Sequence, residues 1–524
     1  MLKQDLGVFD SIIGDVATMI PQLNDYLLLE FRKQEVEKSR QFLDNVFREA
    51  IATKPYDEII EYRGSKALSP EERVEFIVNN PLTRGQFNIQ RSEWGLFRYI
   101  FAFEGKEYNV YLYLPYMVDN AIIINDTHHY IQLAIIENVI HRVRDGVTIK
   151  VLRSPLHFWR NEMLTFKSVN DSIYHEAIIA TKAFHKADHK VRKKDMKSTV
   201  LLYLLCQYGF DKTMKMFGVD ETVIKFEEEP IHNSAEWECF QCKSKCYLWV
   251  NRTRFTEDII IRRVVASLIY MLKFFATGSD SYNIQMLKDP DALYWLVILG
   301  KYCYGMNKEP SIAISNARLH LESVSTYLDI MTRESLNRMG IPCKDIFDMF
   351  YQVICNLDNW LVNHQPNNLY EKKIGVLESL LSEMVKITFK KFYEQSRKQK
   401  VITEKSVENM LKMPQKTAIK INTCSMVRSN PPVYNSNWGL SIGFKKVRER
   451  ANQKRSNSGT NLLKSPEHKL HTSMCAVESP MSIPSSSPGV AGTINPFCQI
   501  TENGDIIKST WSKYLDELES RIPQ

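Results

Sequence analysis

Three groups of residues in this 524-residue chain have types and spacings that could do chemistry. The first is Cys239, Cys242 and Cys246, with His232 upstream. Zinc takes four N or S ligands in a tetrahedral array, and Cys239 with Cys242 has the spacing of half a site. A second such pair is missing, so reduced structural cysteines on a small hairpin are the expectation, with zinc on Cys239, Cys242 and Cys246 as the lesser alternative. The second group is His185 and His189, four residues apart and so on one face of a helix, preceded by His175-Glu176. Their neighbours Lys182, Lys186, Lys190 and Arg192 oppose a metal cation and suit a nucleic-acid contact or a solvated face instead. The third is a polar, basic, turn-rich stretch over 435–507. Such a segment is either a disordered tail or a functional loop.

Charge favours the loop reading. Between Lys412 and Lys469 stand twelve Lys or Arg against two acids, Glu449 and Glu467, whereas the whole chain carries only +7. The rest of the chain is therefore slightly acidic, and the positive field is local. A field of that kind suits a polyanion, nucleic acid first, and a solvated basic linker is the bland alternative. Its members Lys445, Lys446, Arg448 and Arg450, then Lys454 and Arg455, are candidate phosphate contacts. No P-loop, no G-x-G-x-x-G after a strand, no nucleophile elbow and no Asp-x-Asp-x-Asp cluster is present. Ten cysteines lack the spacing of a disulfide framework, and no signal peptide precedes them, which points to a reducing setting. No run approaches the roughly 18 apolar residues of a membrane span, so no membrane partner is expected.

The elements that must position these residues read as follows. Residues 1–55 are helical, with Leu27, Leu28 and Phe31 on an apolar face. Arg98 to Phe103 and Tyr108 to Leu114 form a hairpin about Gly105-Lys106, and 121–124 and 147–152 are strands, with Asn125-Asp126 as a turn. From 171 to 327 the pattern is mainly helical, interrupted over 226–249. Helices follow at 318–339 and 345–361, and the clearest runs from Glu371 to about Arg397. After Lys412 regular pattern fades, 479–488 is a Ser/Pro-rich loop, and 505–521 forms a closing helix. The fold class expected is α+β and multidomain, with mixed helical and antiparallel-sheet parts and an irregular basic region.

The third group also carries a resemblance. Asn437-Trp438-Gly439, Arg455-Ser456-Asn457-Ser458, Leu470-His471 and Cys475-Ala476-Val477-Glu478-Ser479-Pro480 occur in that order, followed by Gln499 to Gly504. Upstream stand Leu114-Pro115-Tyr116-Met117 with Ile123-Ile124-Asn125-Asp126, and Lys372-Lys373-Ile374 with Leu380-Leu381. Together they resemble the N-terminal half of the β (second-largest) subunit of multisubunit DNA-directed RNA polymerases, in the split-subunit form of large bacteriophages. The chain departs from the family at Met481-Ser482, where the family has Glu-Gly, and at Ala476, where it has Pro. The family's C-terminal half has no counterpart here.

The resemblance implies a protrusion-like domain over 1–150 and 316–435, a lobe-like insertion over 151–315 and a fork-like channel region over 436–524. It implies that Arg455, Asn457, His471 and Glu478 line the channel beside template and nascent RNA. Glu478 could instead hold the fork by an internal salt bridge, and Lys372 and Lys373 face either the channel or solvent on a helix. It further implies DNA template, RNA and nucleoside triphosphates as partners, with a C-terminal β-like chain and β′-like chains. Mg2+ would be bound by a partner chain, so this chain holds no catalytic residue and is inactive alone. Host cytoplasm is the expected location, with virion packaging left open. A phage structural or DNA-packaging protein with a basic tail is the rival reading.

Overall fold

The structure is a computed structural model. It describes residues 24, 26–52, 59–79, 94–115, 122–124, 127–131, 133–143, 145–151, 155–160, 164–169, 172–181, 198–229, 235–243, 246–274, 284–305, 308–362, 368–375, 388, 391, 402–411, 427–429, 441–444, 471, 473–478, 491–495 and 497–508. These build an α+β fold of helices and mostly antiparallel sheets. The chain divides into two compact units, residues 1–138 with 365–524, and residues 139–364. The second unit is thus inserted between the two halves of the first. Among the described residues no helix is long and apolar enough to cross a membrane.

In the first unit a π-helical turn, Tyr26–Glu30, leads into the helix Phe31–Ile51, whose Phe42, Leu43, Val46, Phe47 and Ala50 are buried. These positions recur at three and four residues, so one stripe faces inward. They cover a three-stranded antiparallel sheet of Ile60–Ala67, Trp94–Phe103 and Lys106–Pro115. Phe47 packs edge-on against Phe101 at 5.3 Å and tilted against Tyr99 at 5.0 Å. The hairpin expected near residue 105 is present, with its turn one residue earlier. Glu104 and Gly105 both adopt positive φ, 48° and 79°, as a two-residue turn between right-twisted strands requires. Ile122–Ile124 and Thr127–Ile131 pair as antiparallel strands on either side of the expected turn residues, which lie outside the described set.

A second sheet in this unit joins segments far apart in sequence. Leu133–Glu137 pairs antiparallel with Lys372–Gly375 on one side and parallel with Ser441–Phe444 on the other. Ala491–Thr493 then pairs antiparallel with Ser441–Phe444, completing the order of four strands. This corrects the helix expected from Glu371. The chain passes through a short 3-10 turn, Leu369–Glu371, and enters a strand instead. Pairing with Leu133–Glu137 overrides a helical period that begins only at Ile374. Of the remainder of that helix, only Thr388 and Lys391 are described, both helical.

The inserted unit has a five-stranded antiparallel sheet, in spatial order Ser198–Thr199, Ile179–Thr181, Pro155–Arg160, Gly146–Lys150 and Ile140–Val143. Against it packs a helical core. Val200–Tyr208 is apolar all round and almost wholly buried, with Thr199 accepting the Leu202 amide as its N-cap. Ile259–Phe274, Leu293–Tyr304 and Ile346–Leu361 supply the rest of that core. Leu293–Tyr304 crosses Pro310–Ser325 at Gly300, where a Cβ would lie 2.0 Å from the Ala313 carbonyl oxygen. Among its described residues the region 171–327 is mainly helical, as expected, with strands at its start and across the interruption at 226–249. Ile173–Glu176, Ile224–Glu227, Trp237–Lys243 and Cys246–Asn251 are strands, the last three forming one sheet. Short strands of mixed polarity bury one face through cross-strand pairing, which a local period does not register.

Buried in this core, His320 shares a 3.3 Å hydrogen bond with the Tyr203 hydroxyl. Burial pushes the imidazole down to about 4. The folded state therefore holds His320 neutral where the unfolded chain already binds a proton, so its contribution to stability is present above the ordinary His range and is lost as pH falls toward 4. Denaturant unfolding of the inserted unit should lose ~2–3 kcal/mol between pH 7 and 4 from this residue. The difference between wild type and His320→Asn should shrink over the same range; a constant difference would show that His320 is not held neutral.

Candidate nucleic-acid interface

The four-stranded sheet of the first unit decides how the basic stretch is held. Ser441–Phe444 and Ala491–Thr493 are adjacent antiparallel strands, and Lys445 directly follows the first of them. The chain from 445 to 490 therefore leaves the sheet and returns to the strand beside its point of exit. Both ends of the basic segment are anchored to backbone hydrogen bonds that a disordered tail would lack.

A third anchor lies within it. Ser473–Val477 forms a short helix, and Ser473 and Val477 are buried to within 1%. The Ser473 hydroxyl accepts the Leu369 amide at 2.8 Å and stands 2.7 Å from His471 Nδ1. The Ser473 backbone amide also reaches Nδ1, at 3.1 Å. An amide N–H can only donate, so Nδ1 accepts and the ring proton of neutral His471 resides on Nε2. The Ser473 hydroxyl, having accepted from Leu369, donates its own proton to Nδ1. His471 is thus fixed in tautomer and direction by its own chain. At the far end of the helix, Glu478 forms an antiparallel bridge with Ile494, and the Asn495 amide donates to the Val477 carbonyl at 2.8 Å. Glu478 is half-buried.

The chain beyond Ile494 is locked to both ends of the unit. Asn24 is buried, and its side-chain amide donates to the Cys498 carbonyl at 2.7 Å while its Oδ1 accepts the Leu27 amide at 3.1 Å. Gln499–Ile500 and Ile506–Ile507 make a small hairpin, so the helix expected from Asp505 begins as a strand; residues 509–521 of that expectation lie outside the described set. At the turn of this hairpin Gly504 has φ +81°, and its carbonyl accepts the Ile374 amide at 2.7 Å. A Cβ at Gly504 would lie 1.9 Å from the Ile374 carbonyl oxygen. Asp505 bridges Lys373 in the same region. Lys372 is buried and Lys373 half-buried on a strand, which removes the solvated-helix reading for both.

Lys445, Lys446, Arg448, Arg450, Lys454, Arg455 and Asn457 lie outside the described residues, as do His185, His189, His232 and the motif 437–439. His175 and Glu176 are successive residues of the strand Ile173–Glu176 and so point to opposite sides. Cys239, Cys242 and Cys246 are all buried. Cys242 and Cys246 hydrogen-bond to each other and belong to the helical core, while Cys239 lies outside that cluster. The bond to Cys246 and burial push the Cys242 thiol well up, and burial raises Cys239 to about 11. Among the described residues no group of three or more His, Cys, Asp or Glu converges as metal ligands would.

The fold and the site together define a two-unit α+β protein in which adjacent strands of one sheet flank the basic segment in sequence. Residues 12–510 match the model of the non-virion RNA polymerase subunit family, and the chain belongs to that family. It is thus an RNA polymerase subunit, a transcription protein whose partners include other polymerase subunits. That membership removes the structural or packaging reading, and the family's description sets its polymerase apart from the virion. Comparison with curated proteins gives no match.

Gly504 joins the hairpin 499–507 to the strand Lys372–Gly375. Gly504→Ala should increase hydrogen exchange at the Ile374 amide by at least tenfold, since the αL penalty alone is ~1 kcal/mol and the clash adds to it. Amides of the inserted unit should be unaffected; unchanged exchange at Ile374 would refute the contact.

Proposed function

We propose that the chain is the N-terminal, β-like part of a split-subunit phage RNA polymerase, and that its basic segment lines the nucleic-acid channel as the fork. On this reading the protrusion-like body takes residues 1–138 and 365–435 in place of the expected 1–150 and 316–435, the inserted unit 139–364 is lobe-like in place of the expected 151–315, and 436–524 is the fork-like part. The observation that carries it is the threefold anchoring of the basic segment at Ser441–Phe444, at Ser473 to Glu478 and at Ala491–Thr493. Anchors flanking the basic residues are what a channel wall requires, because a phosphate contact positions nucleic acid only if its own backbone is held.

The chemistry assigned to this chain is positioning. Lys445, Lys446, Arg448, Arg450, Lys454 and Arg455 neutralise phosphates of template or hybrid, with arginine offering a planar two-toothed grip and lysine a point charge. Asn457 and the Nε2–H of His471 supply neutral hydrogen bonds, and Glu478 sits at the bridged end of the short helix. Lys372 and Lys373 belong to the supporting strand. Phosphodiester formation from nucleoside triphosphates uses Mg2+ held by a β′-like partner, with a C-terminal β-like chain completing the site, in the host cytoplasm.

Co-expression of the chain with polymerase chains resembling β′ and the C-terminal part of β tests this directly. The expected outcome is a stoichiometric complex that makes template-dependent RNA, with no synthesis by the purified chain alone. RNA extension by the isolated chain, or its exclusion from an active complex, would overturn the proposal.

A further inference from the structure

The inserted unit carries a cluster of charged residues that the fork reading does not use. Arg262 and Arg263 lie in the second turn of the helix Ile259–Phe274, whose N-terminus is capped by the Asp258 carboxylate, which accepts the Ile260 amide at 2.8 Å and the Ile261 amide at 3.2 Å. The two arginines oppose the helix dipole that Asp258 complements. Arg160 is the last residue of the strand Pro155–Arg160. Asp358 lies in the last turn of Ile346–Leu361, where a carboxylate also opposes the dipole. Arg263 pairs with Asp358, and Arg160 reaches the same carboxylate at 3.4 Å. Arg262 Nε stands 3.5 Å from Glu176 Oε1.

These pairs do not balance. Three guanidinium groups face two carboxylates, leaving one positive charge in excess. Arg262 Nε is buried with no hydrogen-bond acceptor, so the Glu176 contact leaves a strong donor unused; Asp358 Oδ2 is likewise buried without a hydrogen bond, its contact with Arg263 being an ion pair. The Arg263 side chain is 7% exposed, and its guanidinium is pulled down to about 10, first by burial and then by Arg160 and Arg262. Burial likewise raises the Glu176 carboxyl despite the neighbouring arginines. The cluster is nonetheless open on one side, since the Arg160 and Arg262 side chains are 38% and 30% exposed. A partly desolvated excess of guanidinium charge with an unused donor is built for an oxyanion that accepts several N–H bonds at once.

We propose that Arg160, Arg262 and Arg263 form a phosphate-binding site in the inserted unit, taking a phosphate of a nucleic-acid backbone or of a free nucleotide. Arg263 is the buried, Asp358-anchored base of the site; Arg160 and Arg262 are its accessible arms. Glu176 competes with the phosphate for Arg262. The site is independent of the fork, which belongs to the other unit.

The test uses the full chain with two probes, a mixed-sequence duplex DNA and ATP, over a salt series. Arg160→Gln and Arg262→Gln should weaken one probe severalfold, and for the duplex they should lower the slope of log affinity against log salt by about 0.9 each. Arg262→Lys should keep most of that slope. Glu176→Gln should tighten binding of the same probe, an effect that unfolding cannot imitate. The probe that responds identifies the source of the phosphate. Unchanged affinity and slope for both probes in the two Gln variants would overturn the site. So would weakening by Glu176→Gln equal to that of Arg262→Gln, because the cluster would then be structural only.

Discussion

The first unit depends on one central strand. Leu133–Glu137 hydrogen-bonds to Lys372–Gly375 on one edge and to Ser441–Phe444 on the other, so three segments far apart in the sequence meet in one sheet. Its Leu133 and Ile135 are buried to within 1%, and Ile374 opposite Ile135 is fully buried. Everything that positions the basic segment is attached to this ladder. The exit strand Ser441–Phe444 belongs to it, the return strand Ala491–Thr493 pairs with that strand, and the hairpin 499–507 docks on Ile374 through Gly504. Because the central strand immediately precedes the inserted unit, 226 residues can be placed between it and its partners without disturbing the pairing.

This arrangement explains why a turn-rich, basic stretch can have a defined function. Local propensity gives such a segment little order, and its like charges repel one another. Anchoring both ends to neighbouring strands shortens the effective loop, and the His471–Ser473–Leu369 contact divides it again. Loop-closure cost grows only slowly with length, so a few buried contacts suffice to restrain it. The positive field is then presented from a fixed base.

Much of this organisation was legible in the residues. The hairpin Trp94–Phe103 and Lys106–Pro115 announces itself by aromatic and β-branched runs on either side of a glycine, and the helices Ile259–Phe274 and Ile346–Leu361 by their apolar content. The α+β class and the polymerase-subunit family followed from patterns spread along the chain. What was not legible is whatever depends on distant partners. Lys372–Gly375 looks helical until Leu133–Glu137 claims it as a strand, and Ile506–Ile507 owes its strand to Gln499–Ile500. Nothing local relates Arg160 to Arg262 and Arg263, because the helix Ile346–Leu361, through Asp358, brings them to one point. Ser473 likewise reads as an ordinary helix-start serine, and only the fold shows its hydroxyl tying Leu369 to His471.

The central claim is that the segment leaving Phe444 and returning at Ala491 faces nucleic acid. Photo-crosslinking from template DNA and nascent RNA in a halted, assembled transcription complex, mapped by mass spectrometry, measures this most directly. The account predicts crosslinks concentrated between Lys445 and Glu478, lost from the basic residues when they are replaced by Ser without disassembly of the complex. Crosslinks confined to other parts of the chain, with none in that segment, would contradict it.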